Sequence, residues 1–390
     1  MTGAGESTSM TRRMLRDEVA ALTRRLVAVD ATNPSLVPGG AGERELAGVV
    51  AEWLDARGFE VQLVGADSAR PSVLARRRGG GGGRTLMLAG HLDTVGGSGG
   101  PLTDAADDTD RIAGRGAYDM AGGLAVAMVA AAAAPADLAG DVLLAFAADE
   151  EFGSTGMEEL LVAVAGDGGA SAAVVLEPTD LDVTLAHRGF AWYRVEYEGV
   201  AAHGSQPELG VDAIDRALDG LVALRGFQAE LAARPRHPLL GSGSVRVATV
   251  EGGTDAATVA DRCVLVVERR TLPGEPDPGA ELERLLAGSQ PARIVPLVAR
   301  PAMEADTESP VARSVLAAVE HATGASAGRR GDAWWTDAGL IAEAGIPVVL
   351  VGAAGGGAHA DVEWVSIDSL AKLVEVIEGV IRSICGENGA

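Results

Sequence analysis

Residues 85–95 read TLMLAGHLDTV, an unbroken apolar run that stops at His91 and Asp93, two residues apart. A short continuous apolar run predicts a strand buried on both faces, the kind found in sheets covered by helices. The pattern recurs along the chain. DVLLAFAA (141–148) runs into Asp149, Glu150 and Glu151, AAVVLEP (172–178) reaches Glu177, and PVVLVG (347–352) precedes a glycine-rich turn and His359. In such sheets, sites lie just beyond the carboxyl ends of the strands, so these acids and imidazoles converge on one edge. The expectation is an α/β catalytic domain with a mixed, mostly parallel sheet and helices on both faces.

The 390 residues exceed what one hydrophobic core usually organises, which favours two domains. From about Phe190 to Val298 the texture changes to alternating AWYRVEYEG, a helix over 212–231, then SVRVATV and CVLVVERRTL. This reads as an inserted α+β lid or dimerisation domain. The division is 1–188 and 299–390 for the catalytic domain and 189–298 for the insert. Helical spacing of apolar residues predicts further helices over 11–29, 44–57, 311–321 and 368–383. FEVQLV and SVLARR read as strands, and Gly79 to Gly83, between SVLARR and TLMLAG, reads as a flexible hairpin tip.

Apolar residues are 47% of the chain and aromatic residues only 3%, which suggests aliphatic packing rather than an aromatic recognition surface. A formal charge of −23 repels phosphate backbones and anionic lipids and attracts divalent cations, so neither nucleic acid nor membrane is an expected partner. Two cysteines, Cys263 and Cys385, are too few for a disulfide framework, and the first ten residues contain no apolar core of a signal peptide. A cytoplasmic location is the default expectation.

His91 and Asp93 can point to the same side, His91 binding a metal while Asp93 fixes its ring through the second nitrogen. Alone, the pair reads equally well as a satisfied histidine and a turn-capping acid. Asp119 lies among Gly114, Gly116, Gly122 and Gly123, where close backbone approach to a metal pair is sterically possible, and is the candidate bridge. A dinucleotide loop is the competing reading there, but an acid where a pyrophosphate would arrive is electrostatically wrong. Three successive acids, Asp149 to Glu151, repel one another unless cations relieve them, although an exposed acidic turn is the blander account. Adjacent side chains diverge in extended backbone, so one glutamate can ligate while its neighbour acts as a general base. Glu177 and His359 each add one terminal ligand from a loop, with turn chemistry as the alternative for either alone.

Taken together, GHLDTV, GRGAYDMAGG, DEEFGSTG, EPT, GVAAHGSQP, RTLPGE and GAHADVEW resemble the co-catalytic zinc aminoacylase and deacylase metallopeptidase family, over nearly the whole chain. That family includes acetylornithine deacetylase, succinyl-diaminopimelate desuccinylase and glutamate carboxypeptidase. The resemblance implies two zinc ions bridged by Asp119, one completed by His91 and Glu177, the other by Glu151 and His359. It implies that Glu150 is the base, that Asp93 orients His91, that His203 reaches the substrate carbonyl and that Arg270 binds the substrate carboxylate. Cobalt or manganese suit similar ligands. The implied substrate is an N-acyl amino acid or short peptide, and the implied assembly is a homodimer. EPT followed by HRGF, and the ending GAHADVEW, look most like the acetylornithine deacetylase branch; the desuccinylase and a glutamate carboxypeptidase or dipeptidase are the alternatives. Outside the enzyme class, the alternative is a non-catalytic metal- or amino-acid-binding protein, against which Glu150 argues. The chain departs from the family pattern at Ala121, Ala257 and Ala260, and Trp334 and Trp335 add bulk near the expected pocket.

Overall fold

A computed structural model describes residues 3–97 and 110–386, with side chains from residue 13 onward. The first strands in chain order are β1 (Glu60–Val64), β2 (Ser72–Arg77), β3 (Leu86–His91), β4 (Arg111–Ala113), β5 (Val142–Ala147), β6 (Ala172–Val175) and β7 (Val183–His187). They are followed by β8 (Gly189–Glu198), β9 (Ser244–Gly252), β10 (Arg262–Thr271) and β11 (Arg293–Arg300). The last are β12 (Met303–Glu304), β13 (Arg329–Asp332), β14 (Val348–Val351), β15 (Gly355–Gly356) and β16 (Trp364–Ser366). The helices are α1 (Gly3–Val27), α2 (Arg44–Asp55), α3 (Gly122–Ala133), α4 (Thr155–Gly166), α5 (Ala213–Ala233), α6 (Pro278–Leu286), α7 (Pro310–Thr323), α8 (Ala338–Glu343) and α9 (Ile367–Cys385).

The chain divides into two units, one of Met1–Leu185, Ala305–Arg330 and Thr336–Ala390, the other of Ala186–Glu304 and Gly331–Trp335. In the first, the sheet runs β1-β2-β5-β3-β6-β14-β7. Its centre, β5-β3-β6-β14, is parallel; β2 and β7 flank it antiparallel, and β1 pairs antiparallel with β2 at the edge. Every residue of β3, β5, β6 and β14 is buried, as their apolar runs require. Alternate residues serve opposite faces: Leu86, Leu88, Leu144 and Phe146 join one core with α1, α2, α3, α7 and α9. Met87 and Leu143 are equally buried on the other face, where α4 and α8 contact the sheet and each other.

The five-glycine segment is not the tip of a hairpin. β2 and β3 do not pair, because β5 lies between them, antiparallel to β2 and parallel to β3. Gly79 to Gly83 instead crosses the end of β5, with the amides of Gly80 and Gly81 bonded to the carbonyls of Leu138 and Ala139 at 2.7 and 2.8 Å. A small sheet, β15-β16-β4, is the third element that matters, since it joins the segment around His359 to the strand leading into Asp119.

The second unit is a four-stranded antiparallel sheet, β11-β8-β10-β9. β8 turns Ala191, Tyr193, Val195 and Tyr197 into a core shared with α5 and α6, while Trp192 and Arg194 alternate to the other face. Asp212 caps α5, its side chain accepting the amide of Ile214 at 2.8 Å. Among the described residues no helix is long and apolar enough to cross a membrane.

Candidate metal centre

The parallel register brings the candidate ligands together. His91, the last residue of β3, lies opposite Ala147, the last of β5, so the turn carrying Asp149, Glu150 and Glu151 starts beside it. The amide of Leu176, one residue before Glu177, bonds the carbonyl of Ala89 on β3 at 3.0 Å. Asp119 comes from a π-type turn, Ala117–Ala121, which leads into α3 and is entered through Gly116 at φ 76, a conformation glycine adopts at no steric cost. The Asp119–Met120 peptide is cis. At the end of β14, a Cβ on Gly352 would collide with the carbonyl of Glu177, so this glycine permits the strand ends to approach.

At the centre stands Asp119, with one carboxylate oxygen toward each imidazole: Oδ1 is 3.0 Å from His91 Nε2, and Oδ2 is 3.4 Å from His359 Nε2. Glu177 Oε1 lies 3.8 Å from the same nitrogen of His91, and Glu151 Oε2 lies 3.1 Å from that of His359. His91, Asp119 and Glu151 each offer a ligand atom, all within 4.8 Å of one another. The pairing of each terminal acid with one imidazole is the arrangement in which a shared carboxylate can serve two cations.

Acids outnumber imidazoles in this cluster, which leaves it short of positive charge. Burial opposes the charged form of His91, but Glu177, Asp119 and Glu150 outweigh it and hold the imidazole well above the ordinary histidine range. Hydrogen bonds to Asp119 and Glu151 push His359 up to about 10. Glu150 and Glu177 are raised well above the usual glutamate range, first by burial and then by neighbouring carboxylates, against the pull of His91. Asp119 alone is lowered, because the two imidazoles more than offset its burial. Four carboxylates around two imidazoles present oxygen and nitrogen donors suited to borderline divalent cations.

Asp93 has a different set of partners from the one expected of an acid beside His91. His91 Nδ1 lies 2.9 Å from the backbone carbonyl of Asp93, which fixes the ring, while the carboxylate is 3.7 Å away. That carboxylate accepts the amides of Glu150 and Glu151 at 3.0 and 3.1 Å and the side-chain amide of Asn33 at 2.7 Å. Behind it, Asp149, at φ 67, accepts from Asn33, Arg70 and Thr155. Arg70 also forks onto buried Glu43, which accepts the amide of Asp149. Asn33, Glu43 and Arg70 carry no motif signal, being ordinary polar residues 116, 106 and 79 positions before Asp149, which only folding brings to that turn. Glu363 lies inside the GAHADVEW motif, which marks the residue but not its hydrogen-bond partners.

His203 and Arg270 belong to the second unit. His203 Nδ1 accepts the amide of Ser205 at 3.1 Å, which leaves the proton of the neutral ring on Nε2, the donor tautomer. Arg270 pairs with Glu268 at 2.9 Å and lies over Phe190. Trp335 is a packing residue, edge-on to Phe190 and His187 with its indole nitrogen donating to the carbonyl of Pro301, whereas Trp334 is partly exposed.

A parallel-centred α/β sheet with acids and imidazoles gathered at its strand ends suits metal-assisted hydrolysis. The profile of Peptidase family M20/M25/M40 matches residues 87–383, and the chain belongs to that family. It is 31% identical over 385 residues to an acetylornithine deacetylase of Myxococcus xanthus, covering 93% of this chain and 96% of the relative. A probable carboxypeptidase of Aspergillus terreus is 30% identical over 257 residues, 62% of this chain and 59% of the relative. Among solved structures, an M20 metallo-carboxypeptidase from Sulfolobus solfataricus superposes with a TM-score of 0.76 at 18% identity, over 95% of this chain and 99% of that one. The protein is thus an M20 hydrolase of the amidohydrolase and peptidase kind, in a family of metal-dependent enzymes.

Proposed function

We propose that the chain is a two-zinc amidohydrolase that cleaves N-acyl amino acids, with acetylornithine deacetylation as its reaction. The observation that carries this reading is the position of Asp119 between His91 and His359, with Glu150 and Glu151 on the adjoining turn. His91, Glu177 and Asp119 would hold one ion, and Glu151, His359 and Asp119 the other. Zinc in this donor set supplies the Lewis acidity that polarises an acyl carbonyl and makes water deprotonate near neutral pH. Glu150, its proton affinity raised by burial and by the neighbouring acids, takes the proton of the attacking water and delivers it to the departing amine nitrogen. Asp93 holds the amides on which Glu150 and Glu151 are mounted. To His203 we assign a hydrogen bond to the substrate carbonyl, which its Nε2 proton supports, and to Arg270 the substrate carboxylate, a task suited to a planar charged fork.

The substrate assignment rests on the full-length similarity to the Myxococcus xanthus deacetylase. Carboxypeptidase activity, favoured by the Aspergillus terreus relative, is the second reading, with dipeptidase activity beside it. A cytoplasmic homodimer completes the proposal. Two free, buried cysteines support the compartment, and an apolar stripe on α5 supports the dimer: Ile214, Leu218 and Val222 are 46%, 53% and 64% exposed on one helix face.

The test is a panel of acetylornithine, succinyl-diaminopimelate, acylated apolar amino acids and dipeptides, assayed on chelator-stripped and zinc-reloaded enzyme. Acetylornithine turnover that returns with zinc is expected; equal rates in both samples would overturn the metal reading, and turnover of dipeptides alone would overturn the deacetylase choice. Glu150→Gln should retain zinc and lose about 10²- to 10⁴-fold in kcat, the usual weight of a general base. A non-catalytic binding protein predicts no zinc-dependent turnover in the wild type.

A further inference from the structure

Glu363 is 2% exposed and lies four residues beyond His359, next to β16. Its Oε1 accepts the amides of Tyr118 and Asp119, each at 2.9 Å, and its Oε2 accepts the amide of Gly116 at 3.0 Å and Nη1 of Arg115 at 2.7 Å. An ionised carboxylate offers about four acceptor positions, and all are occupied here, so Glu363 has none left for a cation. Its backbone carbonyl takes a further amide, that of Gly114, at 3.0 Å. These amides lie at the N-terminal end of the Ala117–Ala121 turn, where the first N–H groups have no acceptor within the element and need one from elsewhere.

We propose that Glu363 is the positioning residue of the metal centre: it aims Asp119 at both cations and ties that turn to the segment bearing His359, while touching neither ion. The proposal rests on the two-metal reading above. Two further links run the same way. Arg115 also donates to the carbonyl of Ala360 at 2.8 Å, and Asp180 accepts both the Tyr118 hydroxyl, at 2.8 Å, and the amide of Gly355, at 3.3 Å. Glu363 thus couples the two sites, since a shift of the Asp119 turn moves the one ligand they share. Glutamine cannot replace it, because a carboxamide presents N–H groups where the turn also presents N–H groups. Aspartate keeps the charge but falls one methylene short.

The experiment is a zinc titration against a competing chelator on wild type, Glu363→Gln and Glu363→Asp, together with amide exchange on the metal-free wild type. Wild type should bind two zinc ions, and both variants should bind both ions about 10- to 100-fold more weakly, the usual effect of removing an outer-sphere partner, with glutamine the worse. In metal-free wild type the amides of Gly116, Tyr118 and Asp119 should already exchange slowly. Unchanged zinc affinity in a folded variant overturns the proposal, even if its melting temperature falls, because a merely structural role would lower stability alone. Should neither variant fold, rapid exchange of the three amides in wild type overturns it, and slow exchange supports it. Failure of wild type to bind two ions would instead defeat the two-metal reading itself.

Discussion

His187 is fully buried in the second unit, and its Nδ1 donates to the carbonyl of Arg188 at 3.0 Å while Nε2 has no hydrogen-bond partner. Burial lowers its pKa from 6.5 to about 4, against the modest support of that hydrogen bond. A base with a depressed folded pKa takes up its proton more readily in the unfolded chain. Its contribution to stability is therefore whole above about pH 6.5 and is lost as pH falls toward 4, to a total of about 3 kcal/mol. His187→Asn should flatten the fall in unfolding free energy between pH 7 and pH 4.5, and urea titrations at both values check it; parallel curves would remove His187 as a source. At this scale the candidate donors were legible because metals demand particular atoms, and His91, Asp119, Glu151, Glu177 and His359 offer them at strand and loop ends. The task of an acid was not. Asp93 and Glu363 look like ligand-type residues in sequence, yet each spends its carboxylate on backbone amides.

The elements follow from local periodicity more closely than their pairing does. α9 shows an apolar stripe in sequence and buries Leu370, Leu373, Val374 and Ile377 against α1, α3 and α7. Leu373 is wholly buried, so Leu373→Ala leaves a cavity and should cost about 2–5 kcal/mol in chemical denaturation. Zinc stoichiometry should stay unchanged, since α9 supports the sheet from one face and supplies no ligand; a variant that lost zinc at full occupancy of the folded state would contradict that separation. By contrast, the strands flanking Gly79 to Gly83 were recognisable, but β5, some sixty residues later, separates them. A glycine run is compatible with a tight hairpin or with a longer crossing, and only the competition among distant strands for edge pairing decides between them.

For the whole molecule, the net charge of −23 keeps copies apart except where apolar surface opposes it. Ile214, Leu218 and Val222 make such a surface on α5, and Ile214 lies near Gly253, just after the edge strand β9. Leu218→Glu should convert the proposed dimer into a monomer in sedimentation or light scattering, with the melting temperature within a few degrees of wild type. A wild type that sediments as a monomer at all tested concentrations would retire the dimer. The chain divides into two units between Leu185 and Ala186, and Gly331–Trp335 belongs to the second, from a stretch whose composition gives no sign of it.

By itself the sequence determined the class of fold and the candidate donors, because buried parallel strands require continuous apolar runs and a metal centre would require imidazoles and carboxylates. Only the tertiary structure decided which acids face one another and which hold the backbone. Glu363 and Asp119 stand 244 residues apart, and nothing local to either specifies the hydrogen bond between them. A strand is written in the alternation and burial of its own residues, whereas the role of a carboxylate is set by whatever the fold brings within about 3 Å of its oxygens.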